Sequence, residues 1–322
     1  MPNEGVEYIK NDFWKLSIQE QDDTKGRISY SQYSKWAECP KRWKLDKIDG
    51  LEPFTQSIHT LFGTAFHETL QTYLHVLFTD SAKAADNLNL NNMLRDNMVI
   101  GYKDATEQMG HSDFTYQAQM EEFLKDGIAI LEWFKKKRTR YFSTRHHELM
   151  AIEMPIYYPA SEKNPKVMML GYLDVVIRDK RDDTYKIIDI KTSGKGWSKW
   201  QKKDDLKKRQ LVLYKHYLSK QIGIDIDKID VEFFIVRRTI DPDSMYPIPR
   251  IQEFSPPTGK VTVNKALKSI DDFVTNAFNR DGSKNVNGTY PAIKGERNKH
   301  CKFCQHVDNF RVCPKENRKT EY

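Results

Sequence analysis

Asp174 stands inside the apolar run VMMLGYLDVVIRD, and a second apolar run ends Ile187-Ile188-Asp189-Ile190-Lys191-Thr192-Ser193. A carboxylate among apolar residues needs a partner, because burying it unpaired is costly. Side chains alternate along a strand, so Asp189 and Lys191 share one face and Ile190 turns to the other. An adjacent strand brings Asp174 alongside them. Two carboxylates at a sheet edge suit a hard divalent cation such as Mg2+, held through oxygen. A lysine beside them can orient water and stabilise charge that builds on phosphorus. Phosphodiester hydrolysis is the chemistry this layout suggests.

The elements that must position these residues follow from patterning. ELMAIEMPIYY, KVMMLGYLDVVIRD and TYKIIDIKTS predict three consecutive strands joined by short polar turns, and KIDVEFFIVRR predicts a fourth, buried one. Between them, residues 204–222 return to helical spacing and Gly223 stands where a helix would stop. Upstream, Ser29 and Ser31 open a predicted helix over 30–46 whose bulky residues are Tyr30, Tyr33, Trp36 and Trp43, and residues 57–79 predict a second helix carrying His67. Residues 88–140 read as a long amphipathic helix through Phe123, Ile130, Leu131 and Phe134, ending in KKKRTR. A Pro-rich loop is expected over 242–257, a helix over 262–279 and a Gly, Asn and Lys-rich tail from Asp281.

GYLDVV and IIDIKTS, with Gly63-Thr64-Ala65-Phe66-His67-Glu68 before them and Gln210-Leu211-Val212-Leu213-Tyr214 after, resemble the PD-(D/E)XK nuclease superfamily, and within it the RecB-like branch. The four elements occur in that family's order. The resemblance implies an α/β (α+β) fold, a central mixed sheet flanked by helices, preceded by a helical region and closed by a cysteine clasp. It implies that His67, Asp174, Asp189 and the carbonyl of Ile190 bind Mg2+ or Mn2+ while Lys191 serves catalysis. Gln210 and Tyr214, four apart on one helix face, would reach the lysine or a DNA phosphate. Glu153 occupies a place where the family often carries an acid, supporting the lysine or a second metal. One domain is expected over 1–322: an N-terminal segment (1–56), a helical region (57–146), the nuclease core (147–280) and the tail (281–322).

The four cysteines are Cys39, Cys301, Cys304 and Cys313, three of them crowded near the C-terminus. That is no disulfide scaffold in a chain of 322 residues, and a metal is the better reading. One cysteine before the core and three after it, in ISYSQYSKWAECPKRWKL and CKFCQHVDNFRVC, resembles the iron–sulfur members of the same branch, such as the AddB nuclease domain and CRISPR-adaptation nucleases. A [4Fe–4S] cluster is what that resemblance implies. By thiolate softness Zn2+ remains the alternative, with His300 and His306 as further candidate zinc ligands.

The net charge of +7 permits a nucleic-acid partner without proving one. Residues 191–220 hold ten Lys or Arg against two Asp, so the excess is concentrated beside Lys191. Lys195, Lys199, Lys202 and Lys203 would neutralise phosphates, and Trp197 and Trp200 would stack on unpaired bases. DNA, single-stranded or at its ends, is the expected partner. No apolar run approaches bilayer length and no phosphate-binding loop motif occurs, so no membrane role is expected and any helicase or recombination partner is a separate chain. The expectation is a cytoplasmic exonuclease of recombination, repair or replication. A structure-specific endonuclease or nickase, or a non-catalytic DNA-binding scaffold, are the alternatives.

Overall fold

A computed structural model of the protein describes residues 26–241, 245–246 and 248–320. The first 25 residues of the expected N-terminal segment and part of the Pro-rich loop lie outside the described residues.

A short strand, β1 (Gly26–Ile28), leads into α1 (Tyr30–Glu38) and α2 (Pro40–Lys47). The single helix expected over 30–46 is therefore two. Pro40 lacks an N–H and crowds the residue before it, so Cys39 is extended, at φ −159°, and becomes the residue from which α2 starts. The next helix, α3 (Ile58–Thr79), opens with a reciprocal cap between Ser57 and Thr60. The long helix expected over 88–140 is also divided: a short α4 (Ala82–Asn87) precedes α5 (Leu90–Met109) and α6 (Gln117–Lys137). Gly110, at φ +73°, ends α5 and lets the chain fold back. Folding back puts Phe123, Ile130, Leu131 and Phe134 of α6 and Leu94 and Met98 of α5 into one core with Phe62, Phe66 and Tyr73 of α3.

The three expected strands are β2 (His147–Pro159), β3 (Val167–Asp179) and β4 (Thr184–Ser193). A short helix, α7 (Lys199–Lys203), interrupts the basic loop before α8 (Asp205–Ile222) and the fourth predicted strand, β5 (Ile229–Arg237). The loop expected over 242–257 contains a strand, β6 (Ile251–Phe254), followed by α9 (Lys260–Ala277). In the tail, β7 (Ala292–Ile293) and β8 (Arg318–Lys319) pair in parallel.

The main sheet is mixed, in the order β1-β3-β4-β5-β6, with β2 lying along the other side of β3. Strands β2 and β4 run antiparallel to β3, while β4 and β5 are parallel and joined by the α8 crossover. One face packs on α1, α2, α8 and α9 around Trp43, Phe273, Tyr217 and Leu218. The other packs on α3, α5 and α6. Helices thus flank a central mixed sheet, as expected.

Two departures from regular pairing shape the site. β4 pairs with β3 only from Val175–Ile188 to Asp179–Thr184, so the two strands part just where Asp174 and Asp189 follow. On β3, Leu173 faces one core and Val175 the other, and on β2 the same holds for Ile152 and Met154. Alternation fails at Asp174 and at Glu153 between them, and Glu153 has φ +51°, a conformation that side chains other than glycine adopt rarely and that concentrates at functional sites.

Candidate active site and cysteine centre

Asp174 sits at the fork between β3 and β4. Its carboxylate takes the place a main-chain acceptor would fill: Oδ2 accepts the Ile190 N–H at 2.7 Å. The same oxygen lies 2.8 Å from His67 Nε2. His67 reaches it because α3 can approach the sheet at Gly63, where a Cβ would stand 3.1 Å from Thr192 Oγ1. On the other side of the imidazole, Nδ1 is 3.6 Å from Glu153 Oε1. Glu153, offered as support for the lysine or for a second metal, thus faces the histidine. One ligand atom each from His67, Glu153 and Asp174 lies within 4.8 Å of the others. Imidazole nitrogen with carboxylate oxygens is a donor set for Mn2+ or Mg2+, and the group fits a hard divalent cation.

Asp189 and Lys191 share the opposite side of the fork. Lys191 Nζ is 2.7 Å from Asp189 Oδ2. Asp189 belongs to the expected ligand set but pairs with the lysine rather than joining the three-residue group, because it lies beyond the strand separation and its only 3 % exposure demands a counter-charge. Ile190 turns its side chain into the core around α3 and leaves its main chain at the fork. Gln210 Nε2 donates to Tyr214 Oη at 3.5 Å, and Tyr214 packs across β3 at Gly171, where a Cβ would come within 2.9 Å of its ring.

The charges are strongly coupled. Burial works against ionisation of Asp174, but His67, Lys191 and the Ile190 N–H hold its carboxyl below the usual range. Burial, with Asp174 beside it, pushes Asp189 up to about 6 despite the lysine. Burial would lower His67, yet the carboxylates of Asp174, Glu153 and Asp189 carry it up to about 9. Lys191 is raised because Asp189 and Asp174 outweigh its burial, and burial pushes Tyr214 up to about 12. Three carboxylates thus face one imidazole and one ammonium, an acidic excess that a divalent cation would complement.

Sequence reasoning missed Gln71. It lies one turn beyond His67, is 1 % exposed, and its Nε2 donates to Glu153 Oε1 at 2.6 Å and to the Asp174 carbonyl at 3.0 Å. The signal available was its spacing of four from His67. Also unforeseen was Arg238, which lies over the Phe123 ring at 3.9 Å and pairs with Glu122 at 2.9 Å. These residues, with Tyr172, Thr192 and Gly194, wall a cleft of about 1010 Å³ that contains His67, Asp174 and Lys191.

A model of the PD-(D/E)XK nuclease superfamily matches residues 27–313. The chain belongs to that superfamily. No curated protein matches it. Membership of the PD-(D/E)XK superfamily makes the chain a phosphodiester hydrolase of the metal-dependent nuclease class.

In this PD-(D/E)XK chain the four cysteines line one small cavity with Arg42, His300 and Ile293. Cys39, at the start of α2, accepts the Ile293 N–H at 3.3 Å. Among the described residues no three of the thiols have sulfurs within 4.8 Å of one another, whereas tetrahedral zinc, with Zn–S of about 2.3 Å, brings sulfurs to roughly 3.8 Å. His306 lines the same cavity, and its Nε2 is 2.6 Å from buried Asp46 Oδ1, which also accepts from Gln305 at 2.9 Å. Asp46 Oδ2 pairs with Lys35 at 2.5 Å.

The basic segment is only partly a free surface. Trp197 packs on Phe233 with ring centroids 4.7 Å apart and has the Lys207 ammonium 5.1 Å from its own centroid, so it is half-buried within the fold. Lys202 lies over Phe254. Trp200 is 81 % exposed on α7, flanked by exposed Lys199 and Lys203, and Lys195 is exposed in the loop before it. No described helix is long and apolar enough to cross a membrane.

Proposed function

We propose that the protein is a Mg2+- or Mn2+-dependent deoxyribonuclease that degrades single-stranded DNA or DNA ends during recombination, repair or replication. The observation that carries the reading is the fork: a carboxylate held by a main-chain N–H and an imidazole, opposite a buried Asp–Lys pair, at the floor of a cleft. His67, Asp174, Asp189 and the Ile190 carbonyl would hold the cation, with Glu153 beside them. When bound, the cation supplies charge to the scissile phosphate and acidifies water. Lys191 orients the attacking water and faces the charge that grows on phosphorus. Asp189 fixes the ammonium, and Tyr214 with Gln210 covers it from α8. Gln71 holds Glu153 and the β3 main chain in place.

The cysteines would hold a [4Fe–4S] cluster that fastens the tail to α2. Their common cavity and their arrangement, one cysteine before the core and three after it, support a shared cluster, with zinc as the alternative. Anaerobically purified protein should contain iron and labile sulfide. With Mn2+ it should degrade linear single-stranded DNA and spare a circle of the same sequence. Equal cutting of the circle would show an endonuclease instead, and zinc without iron in the purified protein would remove the cluster assignment.

A further inference from the structure

Contacts to phosphates fix the register of a nucleic-acid strand on a protein, so a phosphodiester hydrolase has to hold phosphates besides the one it cuts. Among the described residues that line the cleft, Lys191 and Arg238 are the lysine and the arginine. Lys191 is engaged with Asp189 at the fork. Arg238 is the cation that remains for a second phosphate.

The fold fixes Arg238 relative to the fork. β4 and β5 are parallel, with Lys191 opposite Ile235 and Ser193 opposite Arg237. Pairing continues past the strand ends: the Arg238 N–H donates to the Ser193 carbonyl and the Thr239 N–H to the Gly194 carbonyl, both at 2.8 Å. From the other side, Arg250 Nη1 donates to the Arg238 carbonyl at 2.7 Å. Arg238 thus lies three residues beyond the partner of Lys191, about 10 Å along the sheet at ~3.3 Å per residue. Val236 faces the core under α3 and α6, and alternation puts Arg238 on that same face, where the cleft opens.

Its guanidinium is held flat. It lies 3.9 Å from the ring centroid of buried Phe123 on α6, and stacking of this kind removes rotamer freedom before any ligand arrives. Nη1 alone serves both carboxylates, Glu122 at 2.9 Å and Asp126. Among the described residues Nε and Nη2 donate to nothing, which leaves two donors for the oxygens of a phosphate. A tie between β5 and α6 needs one carboxylate. Two of them outweigh the guanidinium and oppose an approaching anion, yet both are partly exposed, and such pairs are worth little against a charge-assisted phosphate contact.

We propose that Arg238 anchors a substrate phosphate beyond the scissile one, and that Glu122 and Asp126 weaken this anchor by neutralising it. The inference rests on the nuclease reading and deepens it by naming the residue that positions the strand and the carboxylates that oppose it.

Binding is measured in EDTA by fluorescence anisotropy of labelled oligo-dT, so that cleavage plays no part. Arg238→Ala should weaken binding about 10- to 100-fold, as loss of hydrogen bonds to a charged group does, and lower the slope of log K against log salt by roughly 0.7. Arg238→Lys should keep the slope and recover only part of the affinity, since an ammonium is a point charge without the planar fork. Glu122→Gln combined with Asp126→Asn should tighten binding about 5-fold, as removal of a nearby like charge does, and the gain should largely vanish once Arg238→Ala is added. A misfolded variant cannot produce that gain. With Mn2+, Arg238→Ala should raise KM more than it lowers kcat. Unchanged affinity and salt slope in Arg238→Ala overturn the proposal, and a lower melting temperature as its sole effect does the same by reducing Arg238 to a tie between β5 and α6. Weaker binding by the amide variant, or a gain that survives without Arg238, overturns the part given to Glu122 and Asp126. A wild type that binds oligo-dT through Arg238 yet cleaves nothing with Mg2+ or Mn2+ supports the anchor and refutes the nuclease reading alone.

Discussion

Gln71 shows how much of the proposed active site depends on a residue that carries no reactive group. Its amide joins Glu153 on β2 to the main chain of β3, and so fixes the carboxylate that faces His67. Gln71→Leu keeps the volume and removes both hydrogen bonds, leaving a half-buried carboxylate and a main-chain carbonyl short of a donor. Stability should fall by about 1–3 kcal/mol, and cleavage or metal affinity by about 10- to 100-fold, as for other groups that orient ligands. Cleavage rates with Mn2+ and isothermal titration measure this, and full activity would make Gln71 an ordinary core residue. That Asp174, Asp189 and Lys191 lie together was legible from their types and apolar context, whereas His67 entered the reading only through the family resemblance. Glu153 was legible only as an acid in the right strand. Its reversed φ, which aims it at His67 and away from Lys191, leaves no mark in the sequence.

At the scale of elements, the site exists because strands and helices meet at a few tight points. Gly171 is one: it lets Tyr214 of α8 lie against β3, within the electrostatic reach of Lys191. Gly171→Val would force α8 outward, and overpacking of this kind costs about 1–3 kcal/mol. The expected result is a lower denaturation midpoint together with a cleavage rate reduced more than substrate binding, because Tyr214 and Lys191 lose register. Unchanged kinetics would separate Tyr214 from the chemistry. β2 to β5 were read correctly because their apolar runs are continuous and bounded by polar turns, while the four-residue β6 lay hidden in the segment expected to be a loop. The helices were over-extended in two places for a common reason: helical periodicity continues across a break. Pro40 in one case and Gly110 in the other decided the boundary, through a missing N–H and a left-handed turn.

At the scale of the molecule, the tail is fastened by a buried polar clamp outside its cysteines. Asp46 gathers Lys35, Gln305 and His306 within a buried pocket, joining α1 and α2 to the loop after Cys304. No spacing rule links position 46 to 306, so this clamp could not be read in advance. Asp46→Ala leaves Lys35 with Glu52 alone and takes the acceptor from Gln305 and the buried His306, and orphaning buried polar groups costs about 1–3 kcal/mol. The variant should melt earlier and release a C-terminal fragment on limited proteolysis while β2 to β5 stay protected, and a protease-resistant tail would show that the cysteines alone secure it. The most direct test of the whole account is cleavage of end-labelled single-stranded DNA by wild type, Asp174→Asn and Lys191→Ala with Mn2+. Wild type should degrade the strand, and both variants should lose at least about 100-fold in rate with their folds intact. Equal degradation by all three proteins, or none by any of them with either Mg2+ or Mn2+, would contradict it.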